Sequence, residues 1–350
     1  MKSMRAVVLG SITLLALAGC SAGGDAGETV SGSSTCADVD LSEAPAESTT
    51  IRMGHGAAAE EPFWLMTADG STSQYDGVWY DMELSAFRGT AERLVAYQAG
   101  DLDAIVISPL VQITGTARGA LDLYTIATIM REAEPDAFST SAVVLDDGAI
   151  SSLDDLGGAT IAIIDEGTQP DFVARQGLRD AGLDPATDAE FVVLPFPSQE
   201  EALRTGRIDV AVLPEPFYTM ALSGGGVKSL FDAADITDFA YDLLTISFDK
   251  KFVEDNLGAV CAWAADYAAS MDAYIADPQA GKLVLVGSDF VSLPEDIYLR
   301  STDYARPAGG VVDSEGTAQM MDAVIEFGVA EESDRIDVST LIRDGVTLGH

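Results

Sequence analysis

The chain has 350 residues, 47% of them hydrophobic, enough for two lobes of ordinary size around buried cores. Its 57 Asp and Glu against 19 Lys and Arg leave a formal net charge of -38. Acidity on that scale argues against nucleic acid as a partner, since a phosphate backbone needs a basic face, and against attachment to anionic lipid through charge.

Lys2 and Arg5 precede an apolar run over residues 6–18, the positive start and apolar middle of an export signal, too short to span a membrane. The run ends in Leu17-Ala18-Gly19-Cys20, which resembles a bacterial lipobox. That implies cleavage after residue 19 and a lipid on Cys20; an ordinary secretory signal is the alternative. Residues 20–49 are rich in Ser, Gly, Ala, Thr and Glu and read as a flexible tether.

The folded part opens at residue 50. Ile51 and Met53 alternate with Arg52 in a first strand, and His55-Gly56-Ala57 turns at its carboxyl end. A second strand is read over 82–87. Thr90 can cap a helix with Ala91, Leu94, Val95 and Gln98 on one face, ending at Gly100. A third strand over 103–107 exits through Ser108-Pro109, and a fourth covers 123–130. The polar stretch from Arg131 to residue 141 reads as a crossing into a second lobe, entered by a strand over 141–145.

Three short Val- and Ile-rich runs follow, at 159–164, 191–194 and 210–213, as fully buried strands are composed. A helical pattern begins at Phe172 and stops at Gly182; another opens at Ser198, with Glu201 three residues on, and stops at Gly206. Strands and helices alternating at this spacing predict right-handed crossovers and a parallel sheet. The loop over 165–169 then falls at a strand's carboxyl end, where open α/β sheets bind ligands. Residues 241–248 read as the return crossing, and helices are expected over 260–276, 281–289, 317–329 and 337–343.

The strings DLGGATIAIIDEGT, RDAGLDPA, EEALRTGRIDVAV and PEPF, in this order and spacing over residues 155–217, resemble the nitrate/sulfonate/taurine group of ABC-importer substrate-binding proteins. The string RLVAYQAGDLDAIVIS over 93–108 extends the resemblance. It implies a two-lobed α/β fold of the periplasmic-binding-protein type (type II), with parallel sheets flanked by helices and a cleft between the lobes. On this reading residues 1–19 are the signal peptide and 20–49 the tether. Residues 50–140 open lobe one, 141–240 form lobe two, and 241–350 return to lobe one with mainly helical structure.

Three loops face such a cleft: His55-Gly56-Ala57, Ser108-Pro109 and Gly167-Thr168-Gln169. Each precedes a helix, whose unpaired N–H groups and partial positive charge suit an anion. Arg131 is the best-placed cation for one. Glu215 in PEPF is an acceptor for a polar ligand or for a loop across the cleft, or simply an acid at a helix start. Phe217 can line the pocket or pack in the core. Cys36 and Cys261 can form a disulfide or stay two separate thiols. With His55 and His350 the only histidines, a histidine-based metal site is not expected, and no cofactor motif or nucleophile–base pair marks an enzyme.

The resemblance therefore implies a monomeric, lipid-anchored protein on the outer face of the cytoplasmic membrane. It would take a small organic molecule, such as a sulfonate, taurine, nitrate or carboxylate, to an ABC permease and its ATPase. An extracellular sensing lipoprotein uncoupled from uptake is the alternative. So is a neutral or zwitterionic ligand of thiamine-precursor type, which the acidic surface favours.

Overall fold

The apolar runs form strands that sort into two five-stranded sheets in the computed structural model, which describes residues 34–68, 73–326, 328 and 330–350. The expected signal peptide and Cys20 lie outside the described residues. In chain order the strands are β1 (Thr49–His55), β2 (Tyr80–Ala86), β3 (Ala104–Ile107), β4 (Leu123–Glu132), β5 (Ser141–Leu145), β6 (Thr160–Ile163), β7 (Glu190–Val193), β8 (Val210–Leu213), β9 (Val227–Asp232) and β10 (Tyr241–Asp249).

The first sheet has the order β2-β1-β3-β10-β4 and the second β7-β6-β8-β5-β9. β1 runs parallel to β2 and β3, and β6 parallel to β7 and β8. The sheets are nevertheless mixed, where uniformly parallel ones were expected. β10 lies antiparallel between β3 and β4, and β5 antiparallel between β8 and β9. The cause is connectivity: β5 and β10 follow the two crossings, residues 133–140 and 233–240, and enter their sheets against the strand–helix–strand direction.

The first half of the helical complement is α1 (Glu61–Ala68), α2 (Thr90–Gln98), α3 (Pro109–Ala117), α4 (Gln169–Asp180), α5 (Phe196–Arg204) and α6 (Phe217–Ser223). It continues with α7 (Ala233–Ile236), α8 (Lys250–Asp255), α9 (Leu257–Ala276), α10 (Pro278–Leu285), α11 (Glu295–Tyr298) and α12 (Ser314–Glu326). α9 is the keel of lobe one. Trp263, Tyr267, Met271 and Tyr274 recur at helical spacing and are completely buried. Helix ends differ from expectation in several places, two of them with a clear cause or consequence. α5 begins at Phe196, with Pro195 as its N-cap and Pro197 in the first turn, where a proline's fixed φ suits a helix start, so Ser198 is already inside. The expected closing helix is a single 3-10 turn, Val338–Leu341.

The described part of the expected tether is held in place. Thr35 and Asp38 cap a 3-10 turn over Cys36–Asp38, and the Cys36 N–H donates to the Gly345 carbonyl at 2.8 Å. Cys36 is joined to Cys261 on α9 by a disulfide with a Cα–Cα distance of 5.4 Å.

Candidate interlobe binding cleft

The carboxyl ends of β1 and β6, each at the centre of a strand–helix–strand unit, open onto a cleft of about 550 Å³ between the sheets. Its body is apolar. Phe87, Met130, Leu243 and Leu244 come from lobe one, and Phe196 and Phe217 from lobe two, the last two stacked with ring centroids 5.6 Å apart. Into this surface a few polar groups converge.

The first is Arg93. α2 would bury Ala91, Leu94, Val95 and Gln98 on hydrophobicity alone. Instead Val95 is 66% exposed and Arg93, at 6% exposed, is the buried residue of the helix. Its guanidinium lines the cleft, Nε has no hydrogen-bond partner, and the group makes no ion pair among the described residues. Burial lowers its pKa, opposed by the charges of Glu60 and Asp165. Gly56 makes room for it. A Cβ there would stand 2.7 Å from Glu60 Oε1 and 3.3 Å from Arg93 Nη1. Arg88, exposed at the edge of the same cleft, adds a second cation.

The second is Glu60, whose Oε1 accepts from the Gly56 N–H at 2.9 Å while Oε2 is buried 4.0 Å from His55 Nδ1 and has no hydrogen bond among the described residues. Burial pushes this carboxyl up to about 7 against the pull of Arg93. The third is Gln169, 2% exposed at the start of α4. Its Nε2 donates to Tyr241 Oη at 2.9 Å and to Glu132 Oε2 at 3.3 Å, and its Oε1 is left without a partner. Glu132 is completely buried at the first crossing and accepts from the Thr140 N–H and hydroxyl, both at 2.9 Å. Burial still pushes it up to about 8, so it is largely protonated at neutral pH.

Of the residues read from the sequence, Gly56, Ala57, Ser108, Thr168, Gln169 and Phe217 line the cleft together. Ser108 caps α3, and the Thr168 hydroxyl donates to the Asp165 carbonyl at 2.7 Å. Four others stand outside the lining. His55 is buried behind Gly56, its Nδ1 2.8 Å from the Gly56 carbonyl oxygen, and burial lowers its pKa. Arg131 points away, its Nε 3.2 Å from Asp242 Oδ1, so its charge is already paired. Gly167 takes φ +71° in the turn before α4, and its N–H donates to Asp171 at 2.8 Å. Glu215 is 3% exposed and accepts from the Thr219 hydroxyl at 2.7 Å and, from lobe one, the Thr302 N–H at 3.1 Å. It thus reaches a loop across the cleft rather than the cavity.

Sequence reasoning passed over Arg93, Glu60, Arg88, Phe87 and Phe196. It applied the strand-end rule to β1, β3, β6 and β8 but not to β2 and β7; Phe87-Arg88 directly follow β2, and Pro195-Phe196 come two residues after β7, so the same rule would have found both. For Arg93 the signal was weaker: a scarce cation inside a helix whose facing was read from hydrophobicity. Among the described residues no group of three His, Cys, Asp or Glu is placed to hold a metal ion.

The model of the NMT1-like family matches residues 44–273. No curated protein matches the sequence. Among solved structures, the periplasmic aliphatic sulphonate binding protein SsuA from Escherichia coli superposes with a TM-score of 0.66 at 19% identity, covering 85% of this chain and 99% of that one. The alkanesulfonate-binding protein SsuA from Xanthomonas axonopodis pv. citri, bound to MOPS, gives 0.68 at 16% identity with 85% and 99% covered. The periplasmic nitrate-binding protein NrtA from Synechocystis PCC 6803 gives 0.64 at 15% identity with 87% of each chain covered. At these identities the likeness shows the fold, that of periplasmic binding proteins.

Proposed function

The chain belongs to the NMT1-like family, and from that premise we propose that it captures a small organic anion with an apolar body in the interlobe cleft. We read it as an exported, lipid-anchored substrate-binding protein that hands this ligand to the permease and ATPase of an ABC importer. One observation carries the anion: Arg93 is buried in the cleft wall without an ion-pair partner among the described residues. Removing a charge from water is expensive unless something compensates it, and in a chain of net charge -38 the nearest carboxylates had every opportunity to do so. A ligand anion completes the pair. The phenylalanines and leucines around it take the rest of the molecule, as ligand clefts generally combine apolar walls with few polar anchors. Because the cleft draws on both lobes, a ligand touching both binds the closed form better and so closes the protein.

A second reading has its own observation. Glu60 Oε2 and Gln169 Oε1 are buried and have no hydrogen-bond donor among the described residues. A ligand that carries an ammonium or hydroxyl beside its anionic group would satisfy them too, which favours a zwitterion over a bare anion such as nitrate.

A thermal-shift screen of the protein separates these readings. The panel is alkanesulfonates, taurine, nitrate, aromatic carboxylates, amines and thiamine precursors. A ligand of the native state adds about 2.7 kcal/mol at 100 times its dissociation constant. Stabilisation by organic anions, lost in Arg93→Gln, is the expected result. Stabilisation by taurine well beyond ethanesulfonate favours the zwitterion, and stabilisation by amines alone overturns the anion reading.

A further inference from the structure

α2 starts at Thr90 behind Gly89, a residue with no side chain to cap it. The acceptor for its first N–H groups comes instead from the other lobe. Asp165, in the loop after β6, receives the Thr90 N–H at 2.9 Å and the Ala91 N–H at 3.4 Å, both on Oδ2. Gly89 permits the approach, since a Cβ there would stand 2.8 Å from that same oxygen. The first N–H groups of a nine-residue helix have no partner within the helix and carry partial positive charge, so this end is where an anion binds. The buried, unpaired Arg93 lies one turn along the same helix, faces the same cleft and feels the charge of Asp165. Helix end and arginine together make an anion position, and the chain's own carboxylate holds part of it.

We propose that Asp165, outside the cleft lining but bonded to Thr90 within it, is a specificity-determining residue: its carboxylate takes the N-terminus of α2 in place of a ligand, clasps the two lobes together, and must be out-competed by the ligand's anionic group. Two consequences share one sign. The clasp makes opening for entry harder, and the fixed negative charge repels an incoming anion; removing it relieves both. The selectivity that results favours anions able to engage the guanidinium and the helix donors at once over those that offer charge alone. The ligand half of this inference rests on the anion-capture reading; the clasp does not.

The test uses the protein with Asp165→Ala, Asp165→Asn and Arg93→Gln. Small-angle scattering reads the lobes without ligand, and calorimetric titration with ethanesulfonate reads the anion position. Asparagine still offers an oxygen to the helix end and removes only the charge; alanine removes both. The expected result is a larger radius of gyration for Asp165→Ala, near-native compactness for Asp165→Asn, and at least about tenfold tighter ethanesulfonate binding in Asp165→Ala, the scale of one like-charge contact removed. Unchanged scattering in Asp165→Ala, or weaker ethanesulfonate binding in that variant, overturns the proposal. Should Asp165→Ala fail to fold, Asp165→Asn decides on affinity alone: tighter binding supports the proposal and weaker or equal binding sinks it. If the lobes open in Asp165→Ala but ethanesulfonate binds the wild type and Arg93→Gln equally, the clasp stands and the anion-capture reading fails.

Discussion

Burying a guanidinium without a partner costs free energy that the fold alone does not return. Arg93 is therefore better explained by what binds than by what folds. Replacing a buried ion pair by apolar residues of similar volume is often neutral or stabilising by about 1–4 kcal/mol, and a buried cation without an ion-pair partner has no paired charge to strand. Arg93→Met should accordingly hold or raise the melting temperature of the empty protein while anion binding falls by at least about a hundredfold, the loss expected when a buried charge partner is truncated. Parallel thermal and titration curves check this; a large drop in melting temperature would mark Arg93 as structural. The residue scale is also where the sequence was least legible. Arg131 had the right type and lay near a crossing, but Asp242, buried beside it, already pairs it. No pattern in the sequence separates a paired arginine from an unpaired one. Gly56, Ser108, Thr168 and Gln169 were found because strand ends and glycine turns are visible in the sequence, and the βα geometry does the rest.

Among elements, the strands were legible and the helix ends were not, although the run at 191–194, expected to be fully buried, forms the edge strand β7 with Val193 53% exposed, because an edge strand has a neighbour on one side only. A run such as Val210–Leu213, wholly buried in the middle of its sheet, has one way to satisfy its hydrophobicity. A helix start is settled by smaller energies, so Pro197 in the first turn could outweigh the Ser198 capping pattern and a carboxylate from another lobe could replace the expected Thr90 cap. Strand direction was partly hidden for a different reason, since the antiparallel β5 and β10 depend on connections read only as crossings. Packing within lobe two supplies an element-scale test. Gly177 sits in α4 with Phe231 of β9 so close that a Cβ would meet Cζ at 2.4 Å. Gly177→Ala should cost about 1–3 kcal/mol by overpacking, despite alanine's better helix propensity. A urea melt that shows stabilisation instead would mean that the ring gives way freely.

At the scale of the whole molecule, three buried acids set the response to pH. Burial pushes Glu132 up to about 8, Glu60 up to about 7 and Asp242 up to about 6. Each holds in the folded state a proton that the unfolded chain releases near pH 4.5 or below. The sign follows: their contribution is complete below the unfolded values and is lost as pH rises through 6, 7 and 8. Stability should fall from pH 5 to pH 8, and Glu132→Gln, which keeps an acceptor for the Thr140 N–H, should flatten that fall. Denaturant melts across the range check it, and a slope unchanged in the variant would exclude Glu132 as its source. The Cys36–Cys261 bond, spanning a sequence separation of 225, is the other global restraint. Removing both cysteines should cost about 2–5 kcal/mol, read as a lower melting temperature. The most direct test of the whole account is titration of the wild type and Arg93→Gln with the organic anion that stabilises the protein most. Saturable one-to-one binding to the wild type, weakened at least about a hundredfold in the variant, is the result that a buried, ligand-paired arginine requires. Equal affinities in the two proteins would contradict it.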